Sequence, residues 1–346
     1  MKNRKENENS MKNNANLKNV TMNLRLFDGN TNTTADGGLS DEMKTYYADF
    51  LIDNAEPELV HDQFGQKQPI PEGSGKKIEF RKYDPLPKAT TPLTEGVTPQ
   101  GQKLTLGSVS AEVKQYGGFI ELSDMLLMTA VDNNLVQATT LLGGQAGRTL
   151  DSIVREVLNG GTNVQYAEGQ VSSRSALVGG KDSGNHYLTV KAIRMAVRTL
   201  KAMNTPKIGG EYVAIIHPDV AYDLMNDPEW KYPHQYQDTT ELYNGEIGKI
   251  AGVRFVETTE AKIFKGAGAE GRDVYSTLVF GAQAYGSTEI KDGGLQYIVK
   301  QLGSGGTADP LNQRATVGWK ATKSAARLVE AYMVRIETAS TFVSEA

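Results

Sequence analysis

Residues 123–158 carry the apolar pattern that most constrains the fold of this 346-residue chain. Apolar side chains recur there at steps of three or four residues, which keeps them on one face of a helix. Ser123 and Asp124 suit an N-cap, and Asn159 followed by two glycines suits a helix stop. The pattern predicts one continuous helix on the order of 50 Å long, which is more than a compact domain needs for its own core. Part of this helix is therefore expected to contact another chain. Its apolar face comprises Leu127, Val131, Leu135, Ala138, Leu142, Ala146, Leu150, Ile153 and Val157.

Three glycines, Gly143, Gly144 and Gly147, interrupt this helix. Each costs about 1 kcal/mol of helix stability relative to alanine. We therefore expect them to mark a bend or a place where another backbone comes close.

Two alternating segments precede the helix and predict a long β-hairpin. Residues 76–83 alternate apolar and charged side chains, and residues 102–115 alternate with a change of phase at Gly107 and Ser108, which predicts a β-bulge. Residues 84–101 between them are rich in Pro, Thr and Gly and form a loose tip. Because an isolated hairpin is marginally stable in water, this one is expected to lie on a supporting surface, that of a neighbouring subunit.

The remaining segments divide into a polar beginning and a mixed second half. Residues 1–38 contain too few apolar side chains to offset the entropy of ordering and are expected to form a flexible arm. Thr189 can cap a helix with a basic outer face, which on sequence alone is interpreted as solvated. Strands are predicted at residues 212–216, 252–257 and 274–280, with further strands from Val317 to Ile336 returning to an earlier core.

Composition excludes several classes of protein. With 37 basic and 41 acidic residues the net charge is −4, so no electrostatic footprint for wrapping nucleic acid is expected. The absence of cysteine excludes disulfides and thiolate sites. No apolar run reaches the length of a membrane span or resembles a signal peptide, which predicts a soluble protein made in a cytoplasm, without a membrane partner.

Candidate catalytic motifs are weak. Residues 266–271 have the G-x-G-x-x-G spelling of a dinucleotide loop, but a strand rather than a helix is predicted to follow, which favours a surface turn. Asp227 and Glu229 flank a proline in an ordinary turn, and His217 is interpreted as a strand-end residue with a local hydrogen bond. His61, His186 and His234 are too dispersed for a metal site. No cofactor and no enzymatic activity are predicted; a nucleotide-binding enzyme and a nucleic-acid-binding protein remain the alternatives.

Several strings, in their order along the chain, resemble one family. They are residues 22–28 followed by residues 31–34, residues 245–258, residues 279–281 with 284–286, and residues 309–313 leading to residues 318–320. From about Met22 to its end the chain resembles a major capsid protein of a tailed bacteriophage, in the fold shared by tailed-phage shells and the floor of herpesvirus capsids. None of these strings is catalytic.

The resemblance implies an α+β fold with six parts. These are a flexible N-terminal arm (residues 1–38), an N-terminal helical segment (39–75), an extended β-hairpin loop (76–117), a peripheral domain with the long spine helix (118–187), an axial α/β domain (188–310) and return strands of the peripheral domain beside that helix (311–346). It also implies a shell of many copies arranged as hexamers and pentamers around packaged double-stranded DNA, with a portal and decoration proteins as further partners. The arm is too short and polar for a built-in scaffold, so a separate scaffolding protein is expected.

Inter-subunit contacts are expected on the hairpin and on the polar face of the spine helix. Some members of the family join subunits through a lysine in the hairpin; Lys88 lies in that region, but no acceptor is identified and no crosslink is predicted. The protein is expected in the virion, after assembly in the cytoplasm of a bacterial host. The contact candidates are Ile78, Phe80, Tyr83, Lys88, Leu104, Leu106, Asp132, Arg148, Asp151 and Arg155.

Overall fold

The computed structural model describes most of the chain from residue 51 onward. The described residues are 51–52, 54–55, 59–69, 76–83, 86–98, 101–104, 106–129, 134–167, 171–179, 186–230, 248–289, 295–304 and 309–342. The predicted flexible arm and most of the N-terminal helical segment lie outside them. Within the described residues, no helix is long and apolar enough to cross a membrane.

The largest sheet has seven strands and mixes parallel and antiparallel pairs. Its path runs β5 (Val164–Tyr166), β15 (Met333–Thr338), β10 (Val274–Phe280), β6 (Tyr212–Ile216), β8 (Val253–Glu257) and β7 (Lys249–Ile250), and β9 (Ile263–Phe264) pairs with β10. Strands β6 and β8 are parallel, whereas β10 is antiparallel to both of its main neighbours. β6, β10 and β15 are buried along their whole length, as expected for central strands covered on both faces.

Two helices of the second half begin where the sequence predicts. In α3 (Val190–Ala202) the Thr189 hydroxyl accepts a hydrogen bond from the Ala192 amide, and α4 (Pro218–Asn226) begins with a proline in its first turn. The buried face of α3, including Ile193, Val197 and Leu200, packs in the same apolar cluster as the seven-stranded sheet. These helices therefore cover the sheet.

A second sheet packs against the helix that dominates the sequence. It has three antiparallel strands in the order β12 (Leu295–Lys300), β13 (Arg314–Lys323) and β4 (Lys114–Ser123). Its inner face, with Val317 and Trp319, shares a core with Leu142, Ala146 and Leu150 of the helix. The predicted return of the chain to the long helix is thus confirmed for β13. β15 lies between β10 and β5 in the seven-stranded sheet, and its Met333 shares a core cluster with Val154 and Leu158 of the same helix.

The structure gives the long helical stretch as α1 (Asp124–Thr129) and α2 (Asn134–Asn159), with residues 130–133 outside the described part. Ala138, Leu142, Ala146 and Leu150 of α2 are buried as predicted, and farther along Val154 and Leu158 are buried in place of Ile153 and Val157. The predicted close approach of another backbone is confirmed at Gly143, where an added Cβ would lie 3.0 Å from the carbonyl oxygen of Leu51.

The hairpin pairs β2 (Lys77–Tyr83) with β3 (Leu106–Glu112) through seven consecutive antiparallel positions, from Lys77 opposite Glu112 to Tyr83 opposite Leu106. The bulge predicted at Gly107 and Ser108 is therefore wrong. The change of apolar phase has another cause: Leu106 lies on the exposed face of β3, whereas Ala111 lies on the buried face. A last small sheet joins β1 (Gln66–Gln68), β11 (Tyr285–Thr288) and β14 (Ala325–Arg327) beside the base of the hairpin.

Candidate inter-subunit surface

The tip of the hairpin exposes apolar side chains that this subunit does not cover. All described residues between β2 and β3, 86–98 and 101–104, are exposed. A run of large apolar side chains on a surface loop is typical of a binding surface. Removing each of these side chains from water would be favourable, and in the single subunit they remain in water. We call this surface the tip patch. Its members, each 50–78% exposed, are Leu86, Leu93, Val97, Leu104 and Leu106.

The base of the hairpin is anchored on the subunit itself. Ile78 and Phe80 are no more than 1% exposed and pack with Ala326 and Leu328. Phe80 lies directly on the backbone of Gly286, where an added Cβ would come within 2.5 Å of its ring. The prediction that Ile78 and Phe80 contact another subunit is therefore wrong, because their own chain buries them completely.

A buried polar cluster holds the turn that precedes the hairpin. Lys323 Nζ donates to Asp62 Oδ1 and to the Thr288 carbonyl oxygen, both at 2.7 Å, and Lys67 donates to the second oxygen of Asp62 and to Ser287 Oγ. Burial lowers the pKa of Lys323 to about 8, although Asp62 opposes the shift. Burial by itself raises the pKa of Asp62, but the two ammonium groups outweigh it and the pKa is lowered. The pair is therefore charged at neutral pH.

Asp151 belongs to the same buried region and not to a polar surface of α2. It is fully buried, its Oδ1 accepts from the His61 amide at 2.6 Å, and its Oδ2 lies 2.6 Å from His61 Nδ1. The Tyr285 hydroxyl donates to the carbonyl oxygen of His61. The prediction of Asp151 as an inter-subunit contact is therefore wrong. A buried carboxylate requires hydrogen-bond partners, and the partner of Asp151 is His61, so that the carboxylate holds the turn on α2.

Arg155 also binds within the subunit. Its Nη1 donates to the Glu260 carbonyl oxygen at 2.6 Å and its Nη2 to Glu156 Oε1 at 3.1 Å, which leaves the side chain 18% exposed. Arg155 thus presents only a small part of its side chain to the outside, and its role as an inter-subunit contact stays a prediction. Arg148 and Lys88 are exposed, as a contact requires. The side chains of Tyr83 and Asp132 lie outside the described part of the structure.

A second apolar surface lies on the outer face of the three-stranded sheet. Phe119 and Ile298 stand on either side of Gly318 in one row across the strands, and Phe119 is 69% exposed. The row lies in an open groove of about 730 Å³ that charged residues such as Glu121, Lys300 and Arg314 also line. We call it the sheet groove.

Helix α1, next to the sheet groove, exposes Met125, Leu126 and Met128 as well. Sequence reasoning missed this surface because it placed Leu127 on a buried helical stripe, and that residue is 38% exposed. A signal was present: Phe119 alternates in phase with Glu121 and Ser123, so a large aromatic side chain occupies the polar face of β4.

The glycine loop of residues 266–271 lies between β9 and β10; it contains a single 3-10 turn at Ala269–Gly271 and leads into a strand, not into an α-helix. Its amides have partners in the subunit: the Gly266 amide donates to Asp273 Oδ1, the Gly268 amide to the Arg272 carbonyl and the Ala269 amide to the Leu177 carbonyl. A phosphate-binding loop needs such amides free. The loop therefore does not support the nucleotide-binding alternative.

The other candidate chemical groups have structural roles. His217 Nδ1 accepts from the Asp219 amide at the start of α4, as predicted, and burial lowers its pKa. Asp227 accepts from the Val190 and Glu229 amides, which ties the turn to the first turn of α3. Within the described ranges, no group of His, Asp and Glu residues could hold a metal ion.

Comparisons with known proteins point to one family. The family model described as phage capsid protein matches residues 107–335. The capsid protein of Ralstonia phage GP4 superimposes with a TM-score of 0.61 at 15% identity, over 79% of this chain and 87% of the other. That of cyanophage Pam1 gives a TM-score of 0.59 at 15% identity, over 83% of this chain and 93% of the other. No curated protein sequence matches.

Proposed function

This chain belongs to the phage capsid protein family, and from that premise we propose how its subunits associate. The protein is a structural subunit of a tailed-phage capsid shell, located in the virion. We infer that many copies associate into hexamers and pentamers through repeated heterologous contacts, in which the tip patch of one subunit meets a different surface of the next. Each contact buries a small area, and the sum of many such contacts stabilises the closed shell.

The sheet groove of the neighbouring subunit is the surface that best suits the tip patch. Both are apolar and open, and neither is covered by its own subunit. Their association would remove from water the leucines of one surface and the Phe119 and Ile298 row of the other, at about 25 cal/mol per Å² of apolar area. The anchored base supports this proposal, because Phe80 fixes where the hairpin leaves the body.

We propose the remaining architecture on the same basis. Residues 1–38 form an arm and 39–75 a helical segment; 76–117 form the extended hairpin, 118–187 the peripheral domain, 188–310 the axial domain and 311–346 the return strands. Assembly takes place in the host cytoplasm with a separate scaffolding protein, a portal and decoration proteins, and the inner face of the shell meets the packaged DNA. The subunit has no enzymatic activity in this account.

Removing the hairpin tip tests the proposal. A variant in which a short glycine linker replaces residues 84–101 should fold with the unfolding midpoint of the full chain and form no closed shells in negative-stain electron microscopy. The control replaces the loop of residues 265–273 with a linker of matched design, which should leave shells intact. Normal shells from the tip variant would contradict the assignment of this loop to assembly.

A further inference from the structure

Helix α3 and the turn after it form a surface whose charged residues are all basic. Residues 190–207 contain Lys191, Arg194, Arg198, Lys201 and Lys207 and no acidic residue, in a protein with a net charge of −4. All five side chains are exposed. The opposite face of α3 is buried in the core of the seven-stranded sheet, so the cations point away from the body of the subunit.

The C-terminal half of this surface keeps its charge free. Arg194 is 2.6 Å from Glu229, in an exposed pair. Among the described residues no carboxylate pairs with Arg198 or Lys201. Their charges are therefore available to an external anion, whereas an exposed pair such as that of Arg194 adds little to stability and weakens the outward field.

We propose that this basic stripe of α3 contacts the phosphate backbone of the packaged double-stranded DNA; the inference rests on the proposed role of the protein as a shell subunit around a genome. Four cations recur along about 15 Å of helix, the length of about four phosphates of one DNA strand. Contacts of this kind hold DNA without reading its sequence. An acidic protein partner fits less well, because protein interfaces are depleted in lysine and carry an apolar centre.

The salt dependence of DNA binding tests this inference on the full-length unassembled subunit. Binding of a fluorescent 30-base-pair duplex would be measured by anisotropy at several NaCl concentrations, for the unaltered chain and for Arg198→Gln/Lys201→Gln. Each lost phosphate contact removes about 0.9 from the slope of log K against log salt, so the slope should become about 1.8 less steep. Between 50 and 200 mM salt, affinity for the unaltered chain should fall about 12-fold more than affinity for the variant.

A matched variant, Arg254→Gln/Lys265→Gln, removes the same charge from exposed positions outside α3, the hairpin and the sheet groove and should keep the original slope. Equal slopes for the unaltered chain and the α3 variant, or equal losses in both variants, would overturn the inference. Competition by polyglutamate as effective as that by DNA would overturn it in favour of an acidic protein partner. Shell formation by the α3 variant, seen by electron microscopy, reports separately on the proposed function, which would stand even if the DNA result were negative.

Discussion

The base and the tip of the hairpin have similar apolar content but opposite burial. At the base, Phe80 is fully buried against Gly286 of its own chain, whereas at the tip Leu93 is 78% exposed. The subunit itself supplies the surface that covers Phe80, but it supplies none that covers Leu93. A large apolar side chain in the sequence therefore indicates only that some surface will cover it. Whether that surface belongs to the same chain or to another depends on the fold of the chain.

The largest effect on stability is expected at the base. Phe80→Ala should lower the free energy of unfolding by about 4 kcal/mol, because it removes a fully buried ring and leaves a cavity. Leu93→Ala at the tip is the matched control and should change it by less than about 0.5 kcal/mol. Urea unfolding followed by circular dichroism measures both, and similar losses for the two variants would contradict the contrast.

The buried cluster beside the base should be nearly as sensitive. Asp62→Asn leaves the Lys323 ammonium buried without its counter-charge, which should cost about 3 kcal/mol in the same assay. Glu229→Gln, which breaks an exposed pair with Arg194, is the control and should cost less than about 1 kcal/mol. A loss of that small size for Asp62→Asn would show that the cluster does not hold the turn.

The free energy of unfolding should depend on pH in part through the titration of Lys323. Its folded-state pKa of about 8 lies below its unfolded value of 10.5, so between these pH values the unfolded chain binds more protons. Its contribution to the free energy of unfolding should therefore rise with pH, by at most about 1.4 kcal/mol per pH unit. Asp62, Lys67 and Asp151 are the charged groups around it.

The difference between the unaltered chain and Lys323→Met isolates that contribution from those of the other titratable groups. Guanidinium unfolding at pH 7, 8, 9 and 10 would measure it. A difference that stays flat or falls over this range would contradict the assignment of the lowered pKa to this lysine.

The smallest effect on stability should accompany a complete loss of assembly. Leu93→Ser/Val97→Ser/Leu104→Ser at the tip should leave the free energy of unfolding within about 0.5 kcal/mol, because these side chains are already in water. The same variant should sediment as unassembled subunits under conditions in which the unaltered chain forms shells. Assembly at the normal yield would show that the tip patch is not an interface.

The elements with strong local signals could be predicted from the sequence, and their partners could not. The buried positions from Ala138 to Leu150 follow from helical spacing, and the start of α3 follows from Thr189. Asp151 looked like a surface residue because its covering partner, His61, lies 90 positions earlier in the chain. The same limit explains β15, whose apolar pattern suits any central strand and does not specify which sheet it enters.

The candidate inter-subunit surface likewise has a part that the sequence predicts and a part that it does not. Alternation identified the hairpin and its exposed tip residues Leu104 and Leu106, but it could not separate them from Ile78 and Phe80, whose burial depends on β14 and on Gly286 more than 200 residues away. The Phe119 row required the register of three strands, two of them far along the chain. The local pattern thus predicts that a segment is an apolar strand. Only the tertiary fold determines which of its side chains the same chain buries and which remain exposed.

The central claim is that a neighbouring subunit covers the tip patch in the shell, and cysteine protection tests it most directly. The chain contains no cysteine, so Leu93→Cys and Ile78→Cys each provide a single reactive thiol. The thiol at position 93 should react rapidly with a maleimide in free subunits and be protected in shells, whereas the thiol at position 78 should be protected in both. A thiol at position 93 that reacts as fast in shells as in free subunits would contradict the account.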